Sequence, residues 1–97
     1  MGEGSPSSPD VERELHARLQ SSASRCYPSA SRRFHETGVS EVAFCVGDSG
    51  QLADGKLARS SGSERLDRAA VECVIGEAGS FPAAHGRCFA LPVKFGD

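Results

Sequence analysis

The feature that most constrains this chain is the stretch Arg87-Cys88-Phe89-Ala90-Leu91-Pro92-Val93-Lys94-Phe95 near its end. Phe89, Leu91, Val93 and Phe95 alternate strictly with Cys88, Ala90, Pro92 and Lys94. That period of two belongs to a strand with one buried and one exposed face. Proline has no N–H to give to a ladder, so Pro92 places the strand at a sheet edge, where one side lacks a regular neighbour. An edge presents unpaired backbone groups that can accept another strand. The open side of this last strand is therefore the first candidate for a binding surface.

The chain has 97 residues, which allow one domain with a modest core. Its four cysteines, Cys26, Cys45, Cys73 and Cys88, are even in number and contain no CxxC pair. That favours two disulfides over a zinc site and implies an oxidising compartment. A formal net charge of −2 gives no basic footprint for nucleic acid. No apolar run approaches the about 20 residues of a membrane span, and no signal-peptide core follows Met1. If the domain is extracytoplasmic, the chain is expected to be a fragment, with residues 1–8 a Ser/Pro/Gly-rich linker remnant and 9–97 the folded domain. His16, His35 and His85 are not spaced as metal ligands and read as surface or loop residues. Ser60 or Ser61 with His85 and Asp67 has the composition of a triad, but no nucleophile-elbow context surrounds the serines. Neither catalysis nor a cofactor or metal is expected.

Taken in order, Ser8-Pro9-Asp10 is a helix start, with Ser8 as cap and the acids Asp10 and Glu12 near the positive end of the dipole. Val11, Leu15 and Leu19 recur every fourth residue, predicting a helix from about Pro9 to about Ser24 with Glu14, Arg18 and Gln20 facing water. Pro28 stops it, and 29–34 has room for one further turn. Val42, Phe44 and Val46 alternate with Ala43 and Cys45 in a strand over about 39–46, and Gly47-Asp48-Ser49-Gly50 turns the chain back. The return strand, about 51–60, is poor in large apolar residues, and Gly55 predicts a bulge or kink in it. Ser61-Gly62-Ser63 caps a second helix, from Glu64 to about Ile75, whose apolar face is Leu66, Ala70, Cys73 and Val74.

Tyr27-Pro28, Gly38, the Val42/Phe44/Val46 alternation, Gly50, Arg59-Ser60-Ser61-Gly62, Leu66-Asp67-Arg68-Ala69-Ala70, Phe81-Pro82 and Phe89-x-Leu91-Pro92-Val93-x-Phe95 together resemble the periplasmic C-terminal domain of TonB-family energy transducers. Order and spacing match from about Val11 to Phe95. The resemblance implies an α+β domain of order α-β-β-α-β, with two helices packed on one face of a three-stranded antiparallel sheet. It also implies a partner, the TonB box of outer-membrane transporters such as siderophore receptors, held by strand addition to the last strand. The partner-binding residues would be Tyr27, Pro28, Phe89, Ala90, Leu91, Pro92, Val93, Lys94 and Phe95. The full-length protein would be anchored in the inner membrane beside a proton-channel complex, with this domain in the periplasm. Cys26 stands where many members carry Gln before Tyr-Pro, and His35 where glycine is usual before Glu36. Cys-Tyr ending helix one with a cysteine in helix two is instead similar to TonB-like modules of gliding-motility and TolA-like envelope machines. An exposed edge also permits an edge-strand homodimer.

Four cysteines allow three pairings. With strands one and three as antiparallel neighbours, Phe44 opposite Phe89 and Val42 opposite Leu91, all large apolar residues fall on the helix side and Cys45 lies opposite Cys88. Cys73 then pairs with Cys26 at the end of helix one.

Overall fold

A computed structural model of the protein describes residues 9–96; the linker remnant expected over 1–8, and Ser8 as a cap, lie outside the described residues. Helix α1 (Pro9–Cys26) carries Asp10 and Glu12 in its first turn and Arg25 in its last, charges that suit the helix dipole at both ends. It runs two residues past the boundary expected at Ser24, up to the residue before Tyr27-Pro28, and a one-turn helix α2 (Ser29–Arg33) follows. Strand β1 (Gly38–Val46), strand β2 (Leu52–Arg59) and strand β3 (Cys88–Phe95) form one antiparallel sheet in the order β2-β1-β3. Between β2 and β3 lies helix α3 (Glu64–Arg68), which continues without a break through a π-helical stretch (Ala69–Val74) into a last α turn (Ile75–Glu77). Ser63 caps this composite helix, its hydroxyl accepting from the Leu66 N–H.

The core is one cluster between sheet and helices. Leu15 and Leu19 of α1, Leu66, Ala70, Val74 and Ile75 of the 64–77 helix, Val42, Phe44 and Val46 of β1, and Phe89, Leu91, Val93 and Phe95 of β3 are all buried in it. Strand residues of the other parity, such as Ala90, Pro92 and Lys94, are exposed. The sheet therefore has a single covered face, and the domain is the α+β arrangement that the two strand alternations require.

The β1–β3 register sets Val42 against Leu91, Phe44 against Phe89 and Cys45 against Cys88. Two disulfides join Cys26 to Cys73 and Cys45 to Cys88. The β1–β2 ladder is irregular, slipping between Glu41 and Val42 and between Ala43 and Cys45. Asp54 takes a left-handed φ of 57° beside the second slip, and a side chain at Gly55 would come within 2.8 Å of the Ile75 Cδ1 atom. Glycine there lets the 64–77 helix settle directly on β2, which is why so apolar-poor a strand still has a place in the fold.

Candidate functional site at the open edge of β3

β3 lies at the end of the sheet, with β1 on one side and, among the described residues, no strand on the other. In an antiparallel ladder, alternate residues turn both backbone groups to the same side. The Lys94 N–H and carbonyl both bond outside the sheet, so Cys88, Ala90, Pro92 and Lys94 form the outward set. Phe89, Leu91, Val93 and Phe95 point their side chains into the core and their backbone groups to β1. Pro92 thus places its missing N–H on the side without a strand, and the β1–β3 ladder is spared.

That outer side is not bare, because α1 runs beside it. The Lys94 N–H donates to Gln20 Oε1 (3.0 Å), and Gln20 Nε2 donates to the Lys94 carbonyl (2.6 Å). One turn earlier, His16 Nε2 lies 2.9 Å from the Pro92 carbonyl; since a carbonyl only accepts, the imidazole carries its proton on Nε2. This corrects the sequence expectation for both residues. Gln20, assigned to the water-facing side of α1, and His16, assigned to the general surface, are half-buried against the strand edge. The row Val11/Leu15/Leu19 identifies the buried face of the helix but says nothing of a sheet edge beside it, so only the three-dimensional arrangement reveals the pair. Among the described residues, no side chain bonds the outward groups of Cys88 or Ala90.

Two depressions flank the Gln20 bridge. One, of about 280 Å³, is lined by Gln20, Tyr27, Arg32, Lys94 and Phe95. The other, of about 340 Å³, is lined by Glu12, Arg13, His16, Leu91 and Pro92. Tyr27 belongs to the first, its ring stacked on Phe95 with centroids 6.1 Å apart, its hydroxyl donating to the Glu36 carbonyl and the Arg32 guanidinium over its face. Pro28 does not reach the edge. It precedes α2 and faces a separate groove with Arg65, Arg68, Ala69 and Cys73. The residues assigned to the partner from sequence are therefore split, with Tyr27 and 89–95 contiguous and Pro28 turned to the 64–77 helix.

Two carboxylates hold the frame behind the site. Arg65 donates to Glu36 from Nε (3.3 Å) and Nη2 (2.9 Å), and the Ser31 (2.7 Å) and Ser63 (3.2 Å) hydroxyls add two more bonds. The Arg65 hydrogen bonds, followed by that of Ser31, hold the Glu36 carboxyl down at about 2 against an opposing effect of burial. Asp67 accepts from the Ser40 hydroxyl, the Ser60 hydroxyl and the Ser61 N–H. Burial works to raise its pKa but is outweighed by these bonds, which lower it. His85 turns to the Pro82 carbonyl of its own loop, and among the described residues no hydrogen bond joins it to Ser60, Ser61 or Asp67, which bond one another. Among the described residues there is no group of three or more metal-ligating side chains, and no helix is long and apolar enough to cross a membrane.

Residues 23–95 match the family described as Gram-negative bacterial TonB protein C-terminal. The chain is 38% identical over 58 residues to protein TonB of Haemophilus ducreyi, covering 60% of this chain and 21% of that protein. It is 32% identical over 71 residues to protein TonB of Pasteurella multocida, covering 71% of this chain and 28% of that one. The chain thus spans about a quarter of the length of these relatives. Among solved structures, its fold is similar to the solution structure of the Helicobacter pylori TonB C-terminal domain, with a TM-score of 0.65 at 21% identity over 84% of this chain and 92% of that one. Sequence and fold agree on the same assignment, and the chain belongs to the family of TonB C-terminal domains.

Proposed function

We propose that this domain is the receiving end of a TonB-like energy transducer in the periplasm. It takes an extended segment of an outer-membrane transporter, the TonB box, as a fourth strand along β3 and carries tension to it from an inner-membrane anchor. The observation that carries this reading is the chemistry already present at the edge. The side-chain amide of Gln20 is a peptide group in all but connectivity, and it engages both backbone groups of Lys94. The edge therefore accepts an amide from outside the sheet in the manner of an added strand. The groups of Cys88 and Ala90 extend the same row, and Tyr27 walls the far end beside Phe95.

The test is an NMR titration of the oxidised chain with peptides carrying the TonB-box segments of the same organism's outer-membrane transporters. Saturable shifts confined to Cys88–Phe95 and the neighbourhood of Tyr27 are expected. A flat titration with every peptide would remove the transporter segment as ligand. It would favour an envelope-machine module of the gliding or TolA-like kind, to which the cysteine at the end of α1 paired with one in the second helix is similar.

A further inference from the structure

Resting on the strand-addition reading, we propose that α1 is an intramolecular placeholder for the added strand. Gln20 and His16 hold the Pro92–Lys94 half of the edge closed, and an arriving segment docks first at Cys88–Ala90 and then displaces them. The geometry behind this is a match of repeats. Four residues of helix rise about 6 Å, and two residues of strand rise about 6.8 Å. A helix lying alongside an edge can therefore serve successive outward positions with side chains at i and i+4. His16 and Gln20 have that spacing, and they serve Pro92 and Lys94.

The substitution is chemically complete where it occurs. Gln20 exchanges two hydrogen bonds with one residue, as a partner residue does in a hydrogen-bonded antiparallel pair. His16 supplies the donor for Pro92, whose carbonyl is the single polar group that proline can offer outward. One further turn back stands Glu12, a carboxylate that cannot donate to a carbonyl, and no side chain among the described residues continues the pattern to Ala90. Among the described residues the cover stops partway along the strand, which leaves a docking end and a latched end. A helix serving only to blunt an edge against aggregation would act in the same place, and the two roles differ in what happens when the latch is removed.

The experiment compares the 97-residue chain with its Gln20→Ala and His16→Ala variants, titrating each with the same TonB-box peptides. Removal of the two Gln20 bonds is expected to tighten peptide binding about three- to tenfold, with a smaller gain for His16→Ala. In the peptide-free Gln20→Ala chain the Lys94 amide should exchange with deuterium faster, while the Val93 amide, turned to β1, stays protected and reports an intact fold. If wild type binds and both variants bind equally or more weakly, the placeholder is overturned while strand addition stands. A Gln20→Ala chain that self-associates with no gain in peptide affinity would show that the helix only guards the edge, which also overturns it. If no peptide binds to any of the three chains, the strand-addition reading fails and takes the placeholder with it.

Discussion

Glu36 shows how much of this fold depends on single polar atoms far apart in sequence. Its carboxylate receives Ser31 from α2, and Ser63 and Arg65 from the start of the 64–77 helix, tying the entrance of β1 to both. The carboxyl is held at about 2 against an ordinary value of 4.5, so the folded state favours the ionised form. The stability this contributes is fully present above pH 4.5 and is lost as the pH falls from there through about 2. A Glu36→Gln variant is therefore expected to be less stable than wild type at pH 7 and to approach it as the pH falls to 2, as read by urea unfolding at several pH values. A constant gap across that range would mean that the charge of Glu36 is not the source. Asp67 performs a comparable task, and Ser40, which is fully buried, donates to it. Asp67→Ala leaves that hydroxyl without its acceptor and should cost about 1–3 kcal/mol in the same assay. Neither network was legible in the sequence. Glu36 and Arg65 are 29 positions apart and Ser40 and Asp67 are 27 apart, and hydrophobic periodicity carries no information on polar pairs across elements. His35 shows the reverse. It stands at a position where the family resemblance makes glycine usual, and its φ is 57°, in the region glycine favours.

At the level of elements, what could be read was whatever repeats. The alternation in β1 and β3 fixed their faces, the shared face fixed their register, and the register brought Cys45 opposite Cys88. What could not be read was whatever depends on how one element lies against another. The π-helical stretch at Ala69–Val74 breaks the fourfold rhythm of the second helix, and α1 beside β3 turns two apparently solvent-facing residues into edge ligands. Pro92 joins the two kinds of information, since its presence signalled an edge and its outward orientation explains why the edge tolerates it. Pro92→Ala adds one N–H to the outer row and leaves the ladder to β1 untouched. Its folding free energy should lie within about 1 kcal/mol of wild type, as for a substitution that disturbs no packed or bonded group. Self-association measured by sedimentation should rise, because the added donor completes the pairing row. A marked gain of stability without association would show that Pro92 faces β1 after all, since the new N–H would then complete that ladder.

For the whole molecule, the arrangement of the two disulfides matters more than their number. The cysteines alternate along the chain, Cys26 with Cys73 and Cys45 with Cys88, so the two loops interleave and neither contains the other. Consider tension applied between Pro9 and Phe95, the direction of pull that the proposed function implies. The shortest covalent path crosses from Cys26 to Cys73 and omits a separation of 47 residues, about 160 Å of extended chain. If that bridge is absent, the path crosses instead from Cys45 to Cys88 and omits 43. The two paths differ by only four residues, or about 14 Å. Each bridge is therefore a nearly complete substitute for the other as a limit on extension. Single-molecule stretching with handles at the two ends should give the oxidised chain and both single-bridge variants, Cys26→Ala/Cys73→Ala and Cys45→Ala/Cys88→Ala, final lengths within about 14 Å of one another. Only the variant lacking all four cysteines should extend by about 160 Å more. Equilibrium unfolding should separate the variants where stretching does not, since loss of either bridge relaxes its own loop in the unfolded chain and costs about 2–4 kcal/mol. A single-bridge variant that stretched as far as the cysteine-free chain would show that its remaining bridge does not form in solution. If the expected lengths are found, the interleaved pair limits how far the domain can be drawn out even when one bond is reduced. That property suits a domain which must keep hold of a strand while force is applied through it.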